Sequence, residues 1–245
     1  MVRIAAVGDI HYGKTSQGAL LPLFSQIGEM ADIFLLCGDL TDYGYAEEAR
    51  VLVKDLAHVR VPIIAVLGNH DFEAGEQDEV VRILSDAGIK VLDGDSTEVH
   101  GIGFAGVKGF GGGFGRRALG PWGETVIKAF VQEALDEALK LEAALARLRT
   151  PEKIAVLHYS PIAATAVGEP PEIMPFLGSS RLEEPLIRYR ATAVFHGHAH
   201  HGSPEGKTKS DTPVFNVCYP LLKRLDPSGL GVKLYEVPAA APSTA

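Results

Sequence analysis

Cysteine and tryptophan are nearly absent from this chain of 245 residues, which has two of the first and one of the second. The two cysteines, Cys37 and Cys218, make no disulfide framework. Each lies in an apolar run (IFLLC and PVFNVC), where a cysteine is ordinarily a small buried hydrophobe. Basic residues are also short: 23 Lys and Arg against 31 Asp and Glu leave a net charge of −8. Gripping nucleic acid takes a dense basic face, so a nucleic-acid partner is not expected. A phosphorylated substrate stays open, because bound metal ions supply positive charge locally. No apolar run approaches the ~18 residues of a membrane span. The chain begins Val-Arg-Ile-Ala-Ala-Val after Met1, with no basic lead, long apolar region or cleavage site. A reducing, cytoplasmic setting without membrane attachment is the resulting expectation.

What is present is an ordinary globular composition, 46% hydrophobic and 22% charged, at a length near the upper end for one domain. Over the first 90 residues, short β-branched runs alternate with amphipathic stretches. The runs Val2–Val7, Asp32–Cys37 and Val61–Leu67 read as strands, while Gly18–Met30 and Tyr45–Val59 read as helices from their three- and four-residue apolar spacing. This βαβαβ pattern predicts parallel strands joined by right-handed crossovers. Glu98–Val107 predicts one or two further strands, and Gly109–Gly120 carries six glycines with Arg116 and Arg117. A proline-free helical pattern follows over Glu124–Arg149, with charges of alternating sign as on a covering or partner-contacting helix. Strands are predicted again at Lys153–Leu157, Ala191–Phe195, Thr212–Cys218 and Leu230–Val237, with a short helix near Leu182–Tyr189. Residues 1–237 are expected to form one domain, with about 109–149 as an elaboration and 238–245 as a disordered tail.

Five of the apolar runs end in metal-binding residue types: Asp9 and His11 after Val7, Asp39 after Cys37, Asn69 to Asp71 after Leu67, His158 after Leu157, and His198 and His200 after Phe195. Parallel sheets carry their functional groups in the loops at the carboxyl ends of strands, so all five clusters are expected on one sheet edge. A glycine precedes most of them, which lets the backbone leave the strand sharply. In Asp-x-His and His-x-His the two named residues share a face if the backbone is extended. Carboxylates, imidazoles and one amide suit a hard to borderline divalent metal such as Mn, Fe, Zn or Co. Seven candidates, Asp9, His11, Asp39, Asn69, His158, His198 and His200, are too many for one tetrahedral ion and suit two ions sharing a carboxylate.

In this order the motifs Asp-x-His, Gly-Asp, Gly-Asn-His-Asp, lone His and Gly-His-x-His resemble the calcineurin-like metallophosphoesterases, from about Val2 to Val217. The resemblance implies an α/β fold, a four-layer α/β/β/α sandwich of two mixed β-sheets flanked by helices. It implies that Asp9, His11 and His200 hold a first metal, that Asn69, His158 and His198 hold a second, and that Asp39 bridges them. His70 would be the proton donor or transition-state stabiliser, and a metal-bridging hydroxide would attack phosphorus. The Ser/Thr phosphatases of the superfamily carry Gly-Asp-x-Val-Asp-Arg-Gly, where this chain reads Gly38-Asp39-Leu40-Thr41-Asp42-Tyr43-Gly44; without the arginine, a phosphoprotein substrate is disfavoured. The motifs are closer to the bacterial phosphodiesterases of the class III cyclic-nucleotide type.

The reading is therefore a phosphoesterase with two metal ions (Mn, Fe or Zn) acting on a small phosphodiester. A phosphomonoesterase with the same site, or a non-catalytic scaffold of this fold, are the alternatives. Arg116 or Arg117 would swing over the site to meet a phosphate, and His201 would contact substrate. His196 is a candidate for support behind the ligands, whereas His58 and His100 lie outside any motif. The oligomeric state stays open, a homodimer included. Specificity is expected in the loops Lys14–Gln17, Gly109–Trp122, Ser160–Ser180 and Gly202–Asp211.

Overall fold

Along the first strand, β1 (Val2–Val7), alternate side chains enter two different cores: Ile4 and Ala6 one, Ala5 and Val7 the other. A strand covered on both faces reads as a continuous apolar run, and that is what the sequence shows. The computed structural model describes residues 1–238. Apart from Pro238, the expected disordered tail lies outside the described residues.

Strands β1, β2 (Ile33–Cys37), β3 (Ile63–Val66) and β4 (Lys90–Val91) are parallel neighbours. Strands β5 (Asp95–Val99), β6 (Ile102–Val107), β7 (Lys153–Leu157), β8 (Ala193–His196), β9 (Glu205–Lys207) and β10 (Pro213–Asn216) form a second sheet in the order β5-β6-β7-β8-β10-β9, parallel except at its two edges. β11 (Lys233–Val237) returns to the first sheet, antiparallel to β1. Between the sheets lies a core of Ile4, Ile33, Leu35, Ile64 and Val66 against Phe104, Ile154, Val156, Phe195 and Phe215. Phe195 stacks on Phe215 at 5.3 Å between ring centroids, and cutting such a buried ring to alanine costs about 3–5 kcal/mol.

Helices cover the two outer faces. On the first sheet sit α1 (Leu21–Phe24), α2 (Ile27–Met30), α3 (Ala46–Leu56) and α4 (Gln77–Asp86), whose Phe24, Ile27, Leu52 and Leu84 pack on Phe34 and Leu36. On the second, α5 (Thr125–Arg147) lays Ala138, Leu141 and Leu145 against Ala105, Val107 and Leu157. Two short helices, α6 (Met174–Leu177) and α7 (Glu183–Arg188), follow β7, and α8 (Tyr219–Leu225) precedes β11. The four layers α/β/β/α are those the resemblance to the calcineurin-like metallophosphoesterases implies.

Several predicted elements differ in detail. The stretch Gly18–Met30 divides into α1 and α2: Pro22 sits at the first turn and Gly28 weakens the rest. Glu98–Val107 is the inner part of a hairpin whose turn, His100-Gly101, takes φ of 52° and 76°, the two-residue geometry that matches strand twist. α4, α8 and the polar edge strand β9 were not predicted. α4 carries Val80, Ile83 and Leu84 at the i, i+3, i+4 spacing of one buried face. Because β1, β2, β3, β7 and β8 run in parallel within their sheets, the loops after them gather along one edge, between the sheets.

Candidate metal centre

The backbone at that edge is left-handed where the chemistry is. Asp9 (φ 55°), His11 (φ 43°), Asp39 (φ 46°) and His198 (φ 70°) all occupy a region that costs a residue with a side chain about 1–2 kcal/mol. This corrects the expectation of extended backbone for Asp9-x-His11 and His198-x-His200. The His198 pair turns tightly, with the Ala199 and His200 amides donating two residues back to the Gly197 and His198 carbonyls at 2.8 and 3.1 Å, whereas the Asp9 and His11 amides donate across to the Gly38 and Asp39 carbonyls at 2.9 and 3.0 Å. The glycines have a second reason as well: a Cβ on Gly68 would land on the Asp39 carboxylate, and one on Gly197 on that of Asp9. Neighbouring loops nest through these gaps.

Four overlapping groups of possible ligand atoms result among the described residues, and two of them contain Asp39. In one, ligand atoms of Asp9, His11 and Asp39 lie within 4.8 Å of one another; in the other, those of Asp39, His158 and His198 do. His200 Nε2 approaches Asp9 Oδ1 at 3.1 Å, and Asn69 Oδ1 lies 2.9 Å from His158 Nε2. The seven residues singled out in the sequence therefore meet in one place.

The donor set fits cations. Both ring nitrogens of His11 are buried without a hydrogen-bond partner. Burial holds His158 neutral, its pKa well below the usual value, so its ring carries one proton. Yet acceptors stand at both ends: the Cys37 carbonyl at 3.0 Å from Nδ1, and Asn69 Oδ1 and Asp39 Oδ1 at 2.9 and 3.3 Å from Nε2. With the proton on Nδ1, the Nε2 lone pair faces the Asn69 and Asp39 side-chain oxygens, a donor set that suits a cation. The carboxylates agree. Burial, together with the charges of Asp9 and Asp71, pushes Asp39 up to about 9, while Asp9, although buried, is held low by its hydrogen bond to His200. Bound cations would let Asp39 ionise as well.

Partners behind the cluster set its orientation. The Phe176 carbonyl receives His198 Nε2 at 3.0 Å, which leaves Nδ1 for the site. The Asp42 carbonyl receives His70 Nδ1 at 2.7 Å, and His70 Nε2 then faces the pocket, 4.0 Å from Asp39 Oδ2. Asp71, fully buried, accepts from the amides of Gly68, Leu40 and Thr41 and from the Thr41 hydroxyl. It pins the β3 loop to the β2 loop. The sequence displays Asp71 within its motif, but nothing there announced this role.

The other candidates are placed differently. His201 lines the pocket, but its amide donates to Glu169 (2.6 Å) and its ring meets Arg224 Nη1 at 3.2 Å. Arg116 and Arg117 are exposed and do not line the pocket; their glycine-rich segment is tied to residues 175–178 through the Gly112 and Gly113 amides. His196 is fully buried, bonded to the Gly197 carbonyl and the Thr165 hydroxyl at 2.8 Å each, behind the His198–His200 turn. Cys218 is buried as expected, but its sulfur lies within 4.8 Å of ligand atoms of Asp9 and His200. Burial and the Asp9 charge push its thiol up, so it meets the site uncharged. The pocket over the cluster, about 480 Å³, is lined also by Glu169, Ile173, Phe176 and Leu177 from the loop after β7.

Comparison with known proteins follows the same lines. A sequence model described as calcineurin-like phosphoesterase matches residues 2–202. No curated protein matches the chain in sequence. Among solved structures, the phosphopantetheinyl hydrolase of Mycobacterium tuberculosis superposes with a TM-score of 0.70 at 15% identity, covering 99% of this chain and 97% of that one. The protein TT1561 of Thermus thermophilus gives 0.59 at 14% identity, covering 96% and 98%. At such identities the likeness is one of fold. Among the described residues, no helix is long and apolar enough to cross a membrane. Matched in sequence over most of its length, with the four layers and the His/Asp clusters in place, this chain belongs to the calcineurin-like phosphoesterase family and is a metal-dependent hydrolase of phosphoric esters.

Proposed function

We propose that the chain hydrolyses a small phosphodiester, with Asp9, His11 and His200 holding one ion, Asn69, His158 and His198 a second, and Asp39 both. The observation that carries this reading is the pair of clusters sharing Asp39. Two divalent ions held there would neutralise phosphate charge and ionise a water near neutral pH. The chain's own part is to place the substrate and move a proton. His70, about one-third exposed, presents Nε2 to the pocket, where it would give a proton to the departing ester oxygen as its bond to phosphorus breaks.

The diester is favoured over the monoester by charge. A monoester is largely dianionic at neutral pH and a diester monoanionic, and no lysine or arginine is among the residues lining the pocket. Glu169 adds a negative charge of its own. The same lining, and the net charge of −8, weigh against a nucleic-acid substrate. Protein reloaded separately with Mn, Zn and Fe and assayed on bis(p-nitrophenyl) phosphate and p-nitrophenyl phosphate tests the assignment. Higher kcat/KM is expected on the diester. A monoester preference would overturn the diester reading, and no turnover of either with any metal would overturn the hydrolase reading.

A further inference from the structure

An apolar surface leads out of the metal pocket. Ile173, Phe176 and Leu177 line the pocket itself, with Ile173 39% and Phe176 57% exposed. The Phe176 ring meets Phe130 of α5 edge-on at 6.0 Å between centroids. Val126, one turn before Phe130 on the same helix face, is 73% exposed, and Trp122, just before the helix, is 74% exposed. Neither Val126 nor Trp122 is needed for the core. The junction is firm: a Cβ on Gly111 would come within 3.1 Å of Phe130 and 3.3 Å of the Phe176 Cα, so glycine lets the three segments close up. The Phe176 carbonyl is in turn the partner of His198. The exposed apolar side chains are thus anchored to a candidate metal ligand.

We infer that this stripe seats the hydrocarbon part of an amphiphilic phosphoester, whose phosphate lies at the clusters and whose chain runs over Phe176 towards Val126 and Trp122. The inference rests on the phosphoesterase reading, because that reading puts an ester substituent beside Phe176. Continuity with the pocket distinguishes substrate from a chance apolar patch, and no lysine or arginine lines the pocket to receive a highly charged substituent.

The chain carries its own reporter, since Trp122 is its one tryptophan. Titration of the metal-loaded protein with decyl phosphate, below its micelle-forming concentration, is expected to give a saturable blue shift of tryptophan emission. Val126→Asp and Phe176→Ala are each expected to weaken that binding about tenfold, the effect of losing one well-buried apolar side chain. In parallel, kcat/KM is compared for decyl and methyl p-nitrophenyl phosphate diesters; the decyl ester is expected to be preferred about tenfold, and Val126→Asp to erase the preference. No saturable shift, an unchanged Val126→Asp titration, or equal kcat/KM on active protein would overturn the inference. So would a dimer that Val126→Asp converts to monomer in sedimentation while decyl phosphate has no effect, which would assign the stripe to a second copy. Should neither ester be hydrolysed, the hydrolase reading fails, and the emission titration still decides whether the stripe binds a chain.

Discussion

Across one pocket, the metal cradle and the wall that faces it are built from opposite materials. The cradle is polar and partly buried, and four of its seven proposed ligands sit in left-handed backbone. The wall is apolar and largely exposed, carried by the short turn Pro171–Ile173 and helix α6. Strain of ~1–2 kcal/mol per residue persists only where surrounding structure over-determines it. Here the nested glycines and Asp71 do so. The wall holds no comparable strain, so its side chains can be exchanged without unmaking the cradle. Chemistry and specificity are separable in this molecule, and substitutions should divide accordingly.

The largest loss is expected from Asp39→Asn, which removes the one charge shared by both clusters. Metal content, about two equivalents in the native protein by this reading, should fall together with activity. Two equivalents and normal turnover in this variant would place the bridge elsewhere. His70→Ala is expected to keep both metals and to lose ~10²–10⁴-fold in rate on alkyl leaving groups. The loss should shrink on p-nitrophenyl esters, whose leaving group departs without a proton. An equal loss on both would point to stabilisation of a phosphoryl oxygen instead.

A subtler difference concerns pH. Asp39 has an ordinary pKa of 3.8 and is raised to about 9 in the folded, metal-free protein. The native state binds the extra proton between those values, so metal-free stability contributed by this group falls as pH rises through them. His196 works in the other direction: burial pushes it from 6.5 down to about 4, so stability falls as pH drops through that window. The Tm of chelated protein should therefore be highest at mildly acid pH, and the gain in Tm on adding metal should grow from pH 6 to pH 8. A metal-induced gain that does not grow over that interval would contradict the buried, mutually repelling carboxylates. At the small end, Arg116→Ala with Arg117→Ala should change KM by no more than about twofold, as for surface substitutions away from a site. A larger KM increase for substrates with more phosphate charge would return these arginines to the pocket.

The candidate ligands were legible because each follows the end of an apolar run, and the runs are covered on both faces. Helix α4 was less so, since its apolar face comprises three residues among acidic neighbours. The local role of the glycines, a sharp exit from the strand, is only half of what they do. Gly68 and Gly197 also make room for carboxylates from loops distant in sequence, and no local pattern encodes a neighbour's position. Arg116 and Arg117 read as a phosphate-binding hand from their composition, yet their segment is held against residues 175–178, some sixty positions later.

Beyond the two-sheet sandwich, which the motif resemblance implies, the sequence by itself determined the strand ends that carry the cluster and the residue types that suit hard to borderline metal ions. Those follow from local periodicity and ligand chemistry, which do not depend on what packs nearby. Tertiary structure alone decided that Asp71 pins two loops together, and that Phe176 lines the pocket with its carbonyl receiving His198 Nε2. Each of these depends on loops that meet only when two sheets pack face to face. No spacing along the chain records that meeting.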